Sequence, residues 1–249
     1  MDLNMQLSCD QCPTSVKEIA EMRAVPYREA VGSWNWAAVG TWPDIAFVVG
    51  VLSQYLENPG RVHWEAAKWV FHYLQGTKDW KLTYGGVTRG IIGFTDADSA
   101  SQEHRRAISS SVILIDGGAV SWSSKEQELV TLSTTKAEYV ATMHAVKEIV
   151  WFHCLLGKIF RPLEYLITLH SDNQSLIALA HTQGLFHACM KHIDIWYHYI
   201  RYTIDNGDIK LVYCPTEDMT ADILTKALPS GKAKHFAHTL RLLRFAGEC

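Results

Sequence analysis

The sequence predicts an α/β protein in which a mixed sheet with flanking helices follows a small all-helical segment. Three observations lead there. From about residue 89 onward, apolar runs of strand length alternate with longer stretches of helical spacing. Their order is three strands, helix, strand, helices, strand, helix, which suggests a meander first and crossover helices later. Residues 14–76, in contrast, read as helical throughout.

In the helical segment, "TSVKEIAEMRA" is followed by "PYREAVGSWNWAAVG", where Pro26 suits a first helical turn. "WPDIAFVVGVLSQYLENPG" is closed by Asn58-Pro59-Gly60, and "VHWEAAKWVFHYLQGT" by Gly76. Residues 77–90, with Gly85-Gly86 and Gly90, form the best boundary. The predicted division is 1–88 helical, 89–230 sheet-containing, and 231–249 a basic amphipathic helix or tail. The strands "RGIIGFTDAD" and "ISSSVILIDGG" come next, the second ending at Gly117-Gly118, and "AVSWSS" follows after a tight turn. A long buried helix occupies "STTKAEYVATMHAVKEIVWFHCLL" (133–156), with Thr135 and Glu138 at the spacing of a capping box. "LEYLITLHSDN" is a continuous apolar run that turns polar, as a buried central strand does. "QSLIALAHT" and "HIDIWYHYIRYTIDNG" are helical, "DIKLVYCP" is a strand, and "TADILTKAL" begins a final helix.

Composition narrows the function classes. The chain has 249 residues, 48% of them hydrophobic, enough for a real core. No apolar run reaches membrane-span length, and "MDLNMQLSCDQCPTS" lacks the pattern of a secretory signal. Six scattered cysteines suggest reduced thiols in an intracellular protein. Cys9 and Cys12 form a lone C-x-x-C with nothing nearby to complete a zinc site. The net charge of −3 excludes a generally basic nucleic-acid binder. One local patch exists: Lys226, Lys232, Lys234, Arg241 and Arg244, with His235 and His238, face the single acid Glu248. Its ordinary reading is the solvated face of a terminal helix.

The acids carry the chemistry. Asp96 stands where the first strand turns polar, and Asp172 just past the fourth. Both can reach one sheet edge, where ligands gather in alternating folds. Glu138, in the first turn of a helix packed on that sheet, can point to the same edge, and Asp222 opens the last helix. Each has a structural alternative: Asp96 or Asp98 in a turn, Asp172 or Asn173 as a helix cap, Asp222 against a helix dipole. Four acids at element edges are harder to dismiss, because clustered carboxylates repel and need cations to stay ionised together. Hard oxygen ligands without an accompanying Cys/His set favour magnesium or manganese.

At these residues the chain resembles a known family. "GFTDADSA", "AVSWSSKEQELVTLSTTKAEYVA", "LHSDNQSLIALA", "KHIDIWYHYI" and "PTEDMTADILTKALP" resemble the ribonuclease H domain of copia-type retrotransposon polyproteins. "VPYREAVGSWNWAAVGTWPDIAFVV" and "NPGRVHWEAAKWVFHYLQGT" are similar to the end of their reverse transcriptase. The resemblance implies a ribonuclease H-like fold with a mixed five-stranded sheet, two Mg2+ or Mn2+ ions, and hydrolysis of RNA paired to DNA. Its acidic quartet maps onto Asp96, Glu138, Asp172 and Asp222, with Glu138 both capping its helix and binding metal. Ser99, Arg105, Arg106, Asn173 and Gln174 are the polar candidates for contact with the hybrid. His192 and Asp194 match a family motif that reads as a core hydrogen-bond pair.

Departures from the pattern shape the remaining expectations. Trp42 stands where the family has a basic residue, Ser99 where it has an aromatic, and Trp34 and Trp36 replace commoner residues. "YCPTEDMTA" lacks the histidine that many ribonucleases H place before the fourth carboxylate. No Tyr-x-Asp-Asp polymerase signature occurs. The expectation is a reverse-transcriptase fragment, with a silent relic that only binds nucleic acid or self-associates as the alternative. The rest of a reverse transcriptase is an expected partner, and the tryptophan-rich surface of residues 14–76 is expected to favour self-association. The expected location is cytoplasmic, in a virus-like particle if the element is active, with the nucleus as the other compartment.

Overall fold

The computed structural model describes residues 7–85, 90–98, 106–128, 133–160, 167–181 and 191–244, with backbone only at 160 and 191–195. Helices α1 (Val16–Arg23), α2 (Tyr27–Gly40), α3 (Ala46–Ser53) and α4 (Arg61–Thr77) lead to strand β1 (Trp80–Leu82). Next come β2 (Ile91–Asp98), β3 (Ile108–Ile115), β4 (Gly118–Glu126), α5 (Thr134–Phe160) and β5 (Ile167–Ser171). Helices α6 (Gln174–His181) and α7 (Lys191–Asp205) precede β6 (Ile209–Tyr213). A short 3-10 helix (Thr220–Leu224), α8 (Ser230–Thr239) and β7 (Leu242–Arg244) complete the described chain. Two compact units result: Tyr84–Thr225, and Met1–Thr83 together with Lys226–Cys249.

In the Tyr84–Thr225 unit the strand order is β4-β3-β2-β5-β6. The first three strands pair antiparallel, while β5 runs parallel to both β2 and β6. This is the mixed five-stranded, ribonuclease H-like arrangement expected. The β3–β4 hairpin turns at Asp116 (φ 50°) and Gly117 (φ 81°), the left-handed pair that a type I′ turn requires. Gly118 therefore starts β4 instead of sharing the turn. The core gathers Val146 and Ile149 of α5 against Ile167, Leu169 and Leu211 of the sheet and Ile200 of α7. Each such buried side chain contributes roughly 1.5–3 kcal/mol. Gly93 of β2 lets α5 lie close, since a Cβ there would stand 2.7 Å from Ile149 Cδ1 and 2.9 Å from Leu169 Cδ1.

Three sequence expectations need correction. The helix α5 is capped by Ser133, whose hydroxyl accepts from the Lys136 N–H at 3.3 Å, so Thr135 and Glu138 form no capping box. A serine two residues earlier supplies the same oxygen. "TADILTKAL" forms only the short 3-10 helix and not a long one, because Pro229 interrupts the run before α8. The basic C-terminal stretch is not a separate helical tail. Its helix stops at Thr239, Arg241 takes a left-handed φ of 66°, and β7 pairs antiparallel with β1 in the same unit.

In that unit the core is built by Tyr27, Val31 and Trp34 of α2, Ile45, Val49 and Leu52 around α3, and Ala66, Ala67 and Val70 of α4. The Tyr27 hydroxyl donates to the Leu52 carbonyl at 2.8 Å, and Ser15 caps α1 with Glu18 as its box partner. Trp36 and Val39 stand exposed, at 82% and 71%. The start of α4 is tightly built. The Gly60 N–H donates to His63 Nδ1 (2.8 Å), and Nε2 of the same buried ring meets the Ser8 carbonyl at 3.2 Å. The proton therefore belongs on Nε2. Burial holds His63 below the ordinary histidine range.

Two outcomes are expected. A Cβ at Gly60 would stand 1.9 Å from the Gln11 carbonyl oxygen, whereas one at Gly76 meets nothing within 4 Å. Gly60→Ala should thus destabilise by about 1–3 kcal/mol, and Gly76→Ala should stabilise by about 0.5–1 kcal/mol, both read by thermal melting. For His63 the unfolded chain takes up its proton first as pH falls. The stabilisation is present above an ordinary histidine pKa of about 6.5 and is lost below it. His63→Gln should flatten the dependence of melting temperature on pH in that window.

Candidate metal centre

Strand β2 delivers Asp96, and β5 delivers Asp172 just beyond its end. The parallel register pairs Phe94 with His170. Asp96 and Asp172 are each two residues further on, so strand periodicity brings both carboxylates to the same side and the same end of the sheet. The rung below them is a stack, Phe94 on His170 with centroids 4.9 Å apart. Glu138 arrives from the second turn of α5. Alanines make this possible: Ala97 and Ala107 of the sheet side pack against Ala137 and Ala141 of the helix. Buried Gln127 fixes the junction by donating from Nε2 to Ser109 Oγ (2.7 Å) and to the Ala137 carbonyl (2.9 Å).

Asp96, Glu138 and Asp172 each place one carboxylate oxygen within 4.8 Å of the others. Asp96 and Glu138 are buried and Asp172 is half-buried. Ionised together at that separation, each pair repels by about 3–4 kcal/mol at an effective dielectric constant of about 20. Hydroxyls orient two of them: Thr225 donates to Asp96 Oδ2 at 2.6 Å, and Thr216 to Asp172 Oδ2 at 2.8 Å. Asn173 Oδ1, and not Asp172, accepts the Leu176 N–H (2.9 Å) and caps α6. Asp172 is thereby left to the cluster.

Asp222 is fully buried in the 3-10 helix and is not one of the three converged acids. It lies close by in the fold. Thr225, which holds Asp96, also donates to the Asp222 carbonyl (3.3 Å), and Ser110 donates to the carbonyls of Asp96 and Ala221. Burial, with the charges of Asp218, Asp172 and Asp222, pushes the Cys214 thiol up to about 11, so no thiolate competes as a soft ligand. The donor set is hard oxygen at a spacing that one small divalent ion can bridge, which fits Mg2+ or Mn2+.

Among the other candidates, Gln174 is exposed at the start of α6, and Arg106 is exposed with Glu126 3.9 Å away. Asn173 has its side-chain oxygen occupied by the cap. Ser99 and Arg105, and the side chains of His192 and Asp194, lie outside the described residues. Sequence reasoning missed Thr225, Thr216, Ser110 and Gln127. Thr216 and Gln127 stand in polar runs and Ser110 among three serines, so no local signal marked them.

The centre predicts a stability pattern. Millimolar Mg2+ or Mn2+ should raise the melting temperature of the intact chain, since an ion that binds only the folded state stabilises it. Asp172→Asn and Glu138→Gln should melt no lower than the parent without metal and lose that rise. Thr225→Val, which frees the Asp96 carboxylate to rotate, should weaken the metal response by about 10–100-fold in affinity.

No protein-family model matches the chain. Over 231 residues it is 43% identical to the retrovirus-related Pol polyprotein from transposon TNT 1-94 of Nicotiana tabacum, covering 92% of this chain and 17% of that protein. The Pol polyproteins from transposons RE2 and RE1 of Arabidopsis thaliana match at 33% and 34% identity over 90% and 88% of this chain. The chain spans about one sixth of the length of these polyproteins. A secreted RxLR effector protein (161) of Plasmopara viticola is 44% identical over 132 residues, 52% of this chain and 93% of that protein. Among solved structures, LC11-RNase H1 in complex with an RNA/DNA hybrid shares 18% identity at a TM-score of 0.41, over 55% of this chain and 94% of that one. On its extended identity with the transposon polyproteins, the chain belongs to the copia-type retrovirus-related Pol polyproteins.

Proposed function

We propose that the Tyr84–Thr225 unit is a divalent-metal-dependent endonuclease that hydrolyses the RNA strand of RNA–DNA hybrids. The observation that carries this reading is the convergence of Asp96, Glu138 and Asp172 from β2, α5 and β5 within 4.8 Å. Membership of the Pol polyproteins supports the substrate class. Divalent ions held there would supply an activated water and neutralise charge developing on the scissile phosphate. The residues of the chain do the rest. Asp96, Glu138 and Asp172 hold the ions, with Asp222 as the fourth acid of the site. Thr225 and Thr216 keep Asp96 and Asp172 in place, so that little reorganisation is needed. Gln174 and Arg106, both exposed, are the backbone contacts, and Ser99 and Arg105 join them in this reading. The 2′-hydroxyls and the shape of the minor groove distinguish RNA from DNA.

The test is cleavage of a labelled hybrid by the intact chain. With Mg2+ or Mn2+ the RNA strand should be cut and duplex DNA spared. Asp172→Asn should lower the rate by at least on the order of 100-fold while the protein stays folded. Folded wild-type protein that binds hybrid but never cuts it, in either metal, would leave a non-catalytic nucleic-acid binder as the function.

A further inference from the structure

The charge of the chain is segregated. Residues 226–249 hold five of the 23 Lys and Arg residues and only one of the 26 Asp and Glu residues. Folding gathers these cations with the segment around β1. On α8 the exposed positions are Ser230, Gly231, Lys234, His235 and His238, the last four spaced i, i+3, i+4 and i+7, which is one helix face. The Trp80 ring meets His238 edge-on, with centroids 5.3 Å apart, so β1 adjoins that face. Trp80 is directly opposite Arg244 in the β1–β7 register. Opposed residues of an antiparallel pair project to the same side. Lys234, His238, Trp80 and Arg244 therefore follow one another across a single surface. Arg244 and Lys234 are exposed, Trp80 is half-buried, and Asp79 is the one acid in β1, α8, β7 and their flanking residues 78–83 and 226–244.

We infer that this surface is a second contact for nucleic acid, taking the phosphate backbone of a hybrid duplex. That the duplex is a hybrid rests on the proposed function; the surface itself rests on charge and geometry alone. Its chemistry suits a regular polyanion. Lys234 on the helix and Arg244 on the short ribbon can each neutralise a phosphate and release its counterion, and the half-exposed Trp80 indole between them offers an apolar surface to a sugar or base. No base edge need be read, so binding should be independent of sequence.

The experiment measures binding of the full chain to a short labelled hybrid, in EDTA so that no cleavage occurs, across a range of salt concentrations. Lys234→Gln with Arg244→Gln should lower the slope of log K against log[salt] by about 2, roughly one per lost phosphate contact. Lys234→Glu with Arg244→Glu should weaken binding further. A matched charge reversal on α1, Lys17→Glu with Arg23→Glu, should leave the slope unchanged. If the Gln pair melts early, Lys234→Gln alone should lower the slope by about 1. An unchanged slope in a folded Gln variant overturns the inference. So does tighter binding of the wild-type chain to phosphatidylserine vesicles than to hybrid, abolished by the same pair. Failure to cleave with the salt effect intact sinks the catalytic reading and leaves this surface standing. Cleavage with an unchanged slope does the reverse.

Discussion

Close approach between the start of α5 and the sheet is the constraint on which the site depends. Ala97, Ala107, Ala137 and Ala141 are all buried in one seam, and none carries more than a methyl group. A larger side chain at any of them would lift the helix away from β2 and take Glu138 out of reach of Asp96. Further along the same helix, Gly93 plays the equivalent part beneath Ile149. Interiors are packed too tightly to absorb such a change without strain. Gln127 fixes the helix position along its axis by holding the Ala137 carbonyl, one residue before Glu138. Apolar packing thus decides where a charge can stand.

Hydroxyl groups orient two of the acids. Thr225 and Thr216 are neutral donors, and each fixes one carboxylate oxygen of its partner. His170, one rung below, is held below its ordinary range by burial. Cys214 keeps its proton. The hydroxyl neighbours keep the geometry of the cluster ready for a cation.

Much of this was legible in the sequence, for identifiable reasons. Strands β2 to β6 are long enough for their apolar pattern and turns to register, and their order implied the mixed sheet. Asp96, Glu138 and Asp172 stood at element edges, so periodicity could bring them to one place. Other features were settled by distance or by local competition. Thr225 and Asp96 are 129 residues apart, and no local pattern joins them. At the start of α5, "STT" offers three hydroxyls in a row, and Ser133 won by position. At α6, Asn173 and Asp172 were equally good caps until the backbone placed Asn173 three residues before Leu176. Strands β1 and β7 have three residues each, too short for alternation to show, and exist because each supplies the other's hydrogen bonds. The break at Arg241 that frees β7 was hidden inside an apolar spacing that still looked helical.

The unit that contains β1 is assembled from both ends of the described chain, with the entire five-stranded unit threaded between them. Synthesis runs from one end to the other, so β2 to β6 and α5 are all made before α8 and β7 appear. The sheet-bearing unit can complete its core while the helices α1 to α4 still lack their last partners. Closing the β1–β7 pair then brings together residues more than 150 positions apart, a loop whose entropy is much reduced once the intervening unit has folded. A frameshift or stop codon after Thr225 would consequently spare the carboxylates and injure the opposite end of the gene product, leaving β1 as an open edge.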